Sequence, residues 1–192
     1  MYFIRRPFRF LRGLVFSISA VGTFAGHHAD AAEVTLSAPE ADAELSETLT
    51  LSSSVFEAQA RGLDTVQELL AASLSDYRTM VQVLYDAGHF SPVVNIRIDG
   101  REAALIQPLK PPSRIDKIEI SVKPGPKFTF GRAVLAPLPD STDIEVPEAY
   151  AAGQTATSGA IRDAARAGRQ AWRNAGHAKV RIGERDITAD HL

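Results

Sequence analysis

The sequence predicts an α+β protein of two tandem units: the first has the element order strand, helix, helix, strand, strand, and the second repeats part of that order. A long amphipathic helical pattern precedes short segments in which apolar and polar residues alternate. The tripeptide Ala-Gly-His occurs at residues 87–89 and again at 175–177, each time between a helical and a strand-like pattern. We divide the chain into a leader at 1–31, a first unit at 32–123 and a second unit at 124–192.

Residues 1–31 have the pattern of a secretory signal peptide. Arginines give a basic start, no acidic residue precedes Asp30, and residues 13–26 are uncharged and mostly apolar. The sequence Ala29-Asp30-Ala31 matches the small-residue pattern of a cleavage site. As a helix, residues 13–26 would rise only about 21 Å, short of the ~30 Å hydrocarbon core of a bilayer. We expect export and cleavage after Ala31, by either the general secretory or the twin-arginine route.

Composition excludes several functional classes. The chain has no cysteine, which rules out disulfides, cysteine-bound zinc and thiol chemistry. Loss of residues 1–31 would leave 17 basic and 22 acidic residues, a formal net charge of −5. An acidic chain with scattered lysines has no electrostatic surface for DNA or RNA, so we expect no nucleic-acid partner.

The first unit begins with a weak strand at 33–37 and a helical pattern at 41–60 that has a serine-rich middle. A longer helix follows, in which Thr65 and Glu68 have the spacing of a capping box. Its apolar stripe consists of Val66, Leu70, Leu74, Tyr77, Val81 and Leu84. Gly88 follows this stripe, at the place where a left-handed C-cap needs a residue without Cβ.

Three later segments have the patterns of strands. Apolar and polar residues alternate at 93–99 and at 117–122, as in half-buried strands, and residues 127–135 predict another strand. The first of these segments stops at Asp99-Gly100. Residues 99–102 (DGRE) are interpreted as a turn with solvated charges.

A second helix is predicted after a proline-containing loop. Its stripe consists of Ile161, Ala165, Gly168, Trp172 and Ala175. When this helix is shifted back by 88 residues, Gly176 coincides with Gly88 and His177 with His89, and a strand-like segment follows at 179–187. We interpret the repeat as one joint built twice, in which a helix ends at a glycine cap and the chain enters a strand.

The sequence has no nucleophile elbow, zinc-protease motif, phosphate loop or dinucleotide fingerprint. His89 and His177 each follow a capping glycine, so we expect them to have capping or packing roles. Tyr77 and Trp172 lie on helical stripes, which favours core packing over a ligand box. We therefore expect no enzymatic activity, no cofactor and no metal.

Residues 122–135 (VKPGPKFTFGRAVL) resemble the junction between successive POTRA (polypeptide-transport-associated) domains. In that family the pattern V-x-x-G-x-x-F-x-F-G links the last strand of one domain to the first strand of the next. Residues 75–103, 124–139 and 171–180 are similar to the periplasmic part of TamA-type proteins, in the superfamily of BamA and the surface antigens. The resemblance covers about residues 64–192.

This resemblance implies tandem POTRA domains at the periplasmic face of the outer membrane, each with helices on one face of a three-stranded sheet. Family members are thought to handle unfolded outer-membrane proteins and to contact partners, for which a periplasm-spanning protein is a candidate. An extended client would add a strand to the open edge by backbone hydrogen bonds. In the family this edge is the second strand, which corresponds here to Val93, Val94, Asn95, Ile96, Arg97, Ile98 and Asp99.

The chain departs from the family pattern in two respects. It lacks the repeated ten-residue alternation of a membrane barrel, and it ends before the third strand of the second unit, which is the central strand in the family. We therefore expect a fragment or a truncated reading frame. A division-type POTRA scaffold, held in the inner membrane by an uncleaved leader, is the alternative function. An enzyme that uses His89 or His177 is a third.

Overall fold

The computed structural model describes residues 31–140, 144–184 and 186–188, and these residues have an α+β fold. The strands are β1 (Glu33–Ser37), β2 (Val93–Ile98), β3 (Arg101–Glu102) and β4 (Lys117–Lys123). The helices are α1 (Ala43–Ser52), α2 (Ser54–Ala60), α3 (Val66–Asp86) and α4 (Ser158–Asn174), and a short 3-10 helix spans Ala103–Leu105. Within these ranges no helix has the length and apolar character needed to span a membrane. The predicted signal peptide lies outside the described residues, apart from Ala31.

The sheet has the order β1-β4-β2-β3, so β4 lies between the two outer strands of the predicted unit. β1 runs parallel to β4, and β2 runs antiparallel to it. The expectation of three strands is wrong, because residues 101–102 return beside β2 as a fourth. Asp99 and Gly100 have φ angles of 49° and 78°. Positive φ at both central residues produces a type I′ turn, whose twist suits a two-residue hairpin.

A hydrophobic core lies between the helices and one face of the sheet. Alternate residues of β2 and β4 point into it and are buried: Ile96, Ile98, Ile118, Ile120 and Val122. Leu84 and Leu70 of α3 are buried in this core, as the helical stripe predicted, but Met80 is buried in place of the predicted Val81. The capping box that starts α3 is also confirmed, with Glu68 N–H donating to Thr65 Oγ1 at 3.3 Å.

The helical pattern at 41–60 forms two helices instead of one, because the chain breaks at Ser53. A fully buried carboxylate of α3, that of Asp76, holds this break. Asp76 accepts hydrogen bonds from Ser53 Oγ at 2.5 Å, from Ser54 N–H at 2.6 Å and from Val55 N–H at 3.3 Å. It thereby satisfies free N–H groups at the start of α2, where the helix dipole favours a negative charge.

The two Ala-Gly-His joints have the same structure. His89 N–H donates to Leu84 C=O at 2.8 Å, and His177 N–H donates to Trp172 C=O at 3.0 Å. The glycine before each histidine has a positive φ, 92° in the first joint and 93° in the second. This is the Schellman arrangement, in which the residue after the glycine bonds back across the last helical turn. The expectation that each helix ends at a glycine cap is confirmed, but the expected exit into a strand occurs only at the first joint, where β2 follows; the described residues after the second joint form no strand.

The second unit has less regular structure than the sequence predicted. Residues 127–135 form no strand, and Thr129 makes an isolated antiparallel bridge to Thr155. Residues 179–184 and 186–188 also contain no strand. Around the Thr129 bridge, Phe130 N–H donates to Gln154 C=O and Ala156 N–H donates to Phe128 C=O, both at 2.9 Å, so the pairing extends over only a few residues.

α4 packs onto the rest of the chain through small residues, of which Ala160, Ala164, Gly168 and Ala171 are buried. A Cβ at Gly168 would lie 3.1 Å from Leu135 Cδ1, so the helix can approach closely only without one. The predicted stripe shares Gly168 with the observed one and is otherwise displaced by about one residue. The displacement arises because alanines occur on neighbouring faces of α4, which leaves the apolar pattern ambiguous.

Candidate functional site

The predicted client-binding edge, residues 93–99, comprises all of β2 and the first residue of the turn that follows. Alternate side chains of β2 point toward the helices, and Ile96 and Ile98 are buried there. Asp99 has a role in the turn, because its carboxylate accepts a hydrogen bond from Lys117 N–H at 2.8 Å. Because Ile96 and Ile98 are buried, an added strand would contact this part of β2 mainly through backbone groups.

Backbone groups of alternate residues in β2 point away from β4. Asp99 N–H donates to Lys117 C=O at 2.9 Å, which fixes the alternation along the antiparallel ladder. The outward N–H and C=O groups therefore belong to Val94, Ile96 and Ile98, while the residues between them bond to β4.

Most of these outward groups have partners within the chain. β3 pairs with the last two residues of β2. Ile96 N–H donates to Glu102 Oε1 at 3.3 Å, and the Tyr77 hydroxyl donates to Ile96 C=O at 3.2 Å. Pro92, which precedes the strand, has no N–H to offer. Among the described residues, nothing pairs with the outward N–H and C=O of Val94.

Tyr77 and Glu102 are also hydrogen-bonded to each other through the phenol hydroxyl. Burial raises the pKa of Tyr77 and the bond to the Glu102 carboxylate raises it further, to about 12 from 10.0. The phenol therefore keeps its hydrogen at neutral pH and can donate it. The expectation that residues 99–102 carry only solvated charges is wrong for Glu102. Its carboxylate accepts hydrogen bonds from the Tyr77 hydroxyl and from Ile96 N–H of β2.

The junction segment that resembles the POTRA pattern packs against the end of α3. Gly125 C=O lies 2.9 Å from His89 Nδ1, so this ring nitrogen carries a hydrogen and donates it. Phe128 N–H donates to Gly88 C=O at 2.9 Å, and the ring of Phe128 lies edge-on to Phe90 with centroids 6.1 Å apart. The segment thus connects β4 to the first Ala-Gly-His joint.

The second histidine also has a packing contact. His177 lies edge-on to Trp172, with ring centroids 5.0 Å apart, and Trp172 Nε1 donates to Pro137 C=O at 2.8 Å. In the part of the chain that the structure describes, no three His, Cys, Asp or Glu side chains form a group that could hold a metal ion. The contacts of His89 and His177 account for their places at the ends of the two helices.

No protein-family model, curated protein or solved structure matches the chain. The resemblance to POTRA domains therefore stays a prediction from the sequence.

Proposed function

We propose that the chain is a non-enzymatic periplasmic module of an outer-membrane assembly or translocation factor, which binds extended client segments by strand addition at β2. The clients are unfolded outer-membrane proteins, whose extended segments carry a regular row of backbone donors and acceptors. Export from the cytoplasm is expected from the signal-peptide pattern of residues 1–31.

The fold of residues 33–123 supports this proposal. β4 is the last strand of the unit, and it lies between β1 and β2. This agrees with the central third strand that the POTRA resemblance implies. The helices pack on one face of the sheet, which leaves the backbone of Val94 open at the uncovered start of β2.

The observation that carries the proposal is the open backbone of Val94 at the edge of the sheet. An added strand would donate one hydrogen bond to Val94 C=O and accept one from Val94 N–H. The apolar side of β2 is already filled by the chain's own core, so a client contributes mainly backbone contacts. Binding of this kind tolerates many client sequences.

A longer contact requires the backbone of Ile96 as well. Glu102 and Tyr77 occupy both of its outward groups, and these are side chains that can rotate away. A client that displaces them gains two further hydrogen bonds. The part of β2 beyond Ile96 becomes available only if β3 also leaves.

The experiment compares Val94→Pro with Val94→Ala. Both variants lose packing of the valine side chain against the core, but only proline removes the outward N–H. We expect Val94→Pro to weaken binding of a peptide from an outer-membrane β-strand roughly two- to tenfold more than Val94→Ala does, the loss of about one hydrogen bond. Calorimetric titration measures the affinities, and circular dichroism checks that both variants are folded. Equal affinities for the two folded variants would contradict the proposal.

A further inference from the structure

The opposite edge of the sheet is formed by β1, and it is more open than the edge at β2. Glu33 N–H donates to Asp116 C=O at 2.9 Å, so in this parallel ladder the alternate residues Val34 and Leu36 direct their N–H and C=O groups outward. No residue in the described ranges pairs with these four groups.

Contacts within the chain close this edge at both ends. Gln59 Nε2 donates to Ala32 C=O at 2.5 Å, and Ala41 N–H donates to Ala38 C=O at 3.0 Å. The fully open stretch therefore consists of the outward groups of two residues, with Thr35 midway between them.

The two edges of the sheet are protected to different extents. Proteins block exposed edges with proline, inward-turned charges or short covering strands. β2 has such protection from Pro92, from the Glu102 carboxylate and from β3. β1 contains no proline and no lysine, and all five of its residues pair with β4 in continuous register, without a bulge. Because the other edge of the same sheet is covered, the unpaired backbone groups in the middle of β1 indicate a surface that pairs with another strand.

We propose that β1 pairs antiparallel with β1 of a second copy of this chain, about a two-fold axis at Thr35. Val34 then lies opposite Leu36 of the second copy, and the two residues exchange both of their outward hydrogen bonds. The symmetric pair does the same, so four hydrogen bonds use every open group on both chains. The two sheets become one continuous sheet across the dimer.

The closed ends of the edge select this register. If the axis lay at Val34, Leu36 would face Ala32 of the second copy, whose carbonyl is already bonded to Gln59. If it lay at Leu36, Val34 would face Ala38, whose carbonyl is bonded to Ala41 N–H. The axis at Thr35 avoids both conflicts.

Side chains agree with the same register. On the solvent face, Thr35 lies opposite Thr35 and Glu33 lies opposite Ser37, so no like charges meet. On the helix face, Val34 lies opposite Leu36, an apolar pair at the margin of each core. This self-complementarity favours a second copy over an unrelated extended segment as the occupant of the edge.

A single cysteine tests the geometry, because the chain has none of its own. Thr35 would form a non-hydrogen-bonded pair with its own copy, in which Cα atoms lie about 4.5 Å apart, within the range of about 4.4–6.8 Å for a disulfide. We expect the full chain carrying Thr35→Cys to form a covalent dimer on mild oxidation. Ser121→Cys is the control, since Ser121 is also exposed but lies on the central strand β4. Equal cross-linking of the two variants would overturn the proposal.

Opposite charges at Thr35 give an independent test. We expect Thr35→Lys and Thr35→Glu each to raise the dimer dissociation constant about fivefold or more, and an equal mixture of the two to restore association. Ser121→Lys is the control and should leave association unchanged. Analytical ultracentrifugation over a range of concentrations measures the equilibrium. A wild-type chain that stays monomeric throughout contradicts the proposal, as does a mixture that associates no more tightly than either variant alone. Hydrogen exchange in which the amides of Val34 and Leu36 become protected only when a peptide is added would also contradict it.

Discussion

Tyr77 and Glu102 meet over the outer edge of β2, where together they occupy both outward backbone groups of Ile96. Tyr77 comes from α3, and Glu102 comes from β3. The pair therefore takes the place that the backbone of an added strand would take. It limits the open part of β2 to Val94 and makes the length of a client contact depend on two side chains.

Removal of the carboxylate should open this edge. We expect Glu102→Ala to raise the affinity for an extended outer-membrane peptide by up to about tenfold, because the peptide no longer competes for Ile96 N–H. Glu119→Ala is the matched control, since this partly exposed carboxylate lies on β4 and has no contact with the edge backbone. Titration calorimetry compares the variants. An affinity that is unchanged or lower in Glu102→Ala would show that the pair does not cover the site.

Tyr77 should make the stability of the chain depend on alkaline pH. Its pKa is raised by burial and by Glu102 to about 12 in the folded chain, against 10.0 for an unperturbed tyrosine. Above pH 10 the unfolded chain loses this proton while the folded chain keeps it, so the stabilisation present below pH 10 is lost as pH rises toward 12. Urea unfolding at successive pH values measures the slope. In Tyr77→Phe this component should vanish; an identical slope in the variant would show that Tyr77 does not cause it.

The two capping glycines form a matched pair for mutation. A Cβ at Gly176 meets nothing within 4 Å, whereas a Cβ at Gly88 would lie 2.6 Å from Thr155 Cγ2. Both have the same positive φ, so Gly176→Ala should cost about 1 kcal/mol of unfolding free energy and Gly88→Ala more than that. Thr155→Ser, which removes Cγ2, should recover part of the difference. Equal losses for the two alanine variants in urea unfolding would argue against the contact.

The buried carboxylate of Asp76 should be among the largest polar contributions to stability. Asp76→Ala leaves the donors of Ser53, Ser54 and Val55 without an acceptor, and we expect a loss of about 3 kcal/mol. Asp42 provides the comparison, because it caps α1 at an exposed helix end. Its replacement by alanine should cost about 1 kcal/mol. Urea unfolding measures both, and a loss for Asp76→Ala no larger than for Asp42→Ala would contradict the role of the buried acceptor.

The elements that could be predicted are those whose signals are local. The apolar stripe and capping box of α3 and the alternation in β2 and β4 appear in consecutive residues, as do the glycines at the two helix ends. Each depends on steric or hydrogen-bonding rules that act within one or two turns of chain.

The features that could not be predicted depend on residues that are distant in sequence. The break at Ser53 depends on Asp76, and the cover over Ile96 depends on Tyr77 and Glu102. A hydropathy pattern predicts that an aspartate lies at the surface, because it cannot show that three buried hydrogen-bond donors surround the carboxylate of Asp76. The expected strand at 127–135 is reduced to a single bridge between Thr129 and Thr155, a pairing with a distant segment that the alternating pattern could not show.

The central claim is that an extended client binds at the β2 edge, and amide NMR of the isotope-labelled chain tests it most directly. On titration with an unlabelled peptide from an outer-membrane β-strand, we expect shifts to cluster at residues 93–96 and the amide of Val94 to become protected from hydrogen exchange. The amides of α1, α2 and α3 should change little. Shifts confined to the helices or to β1, with β2 unmoved, would contradict strand addition at this edge.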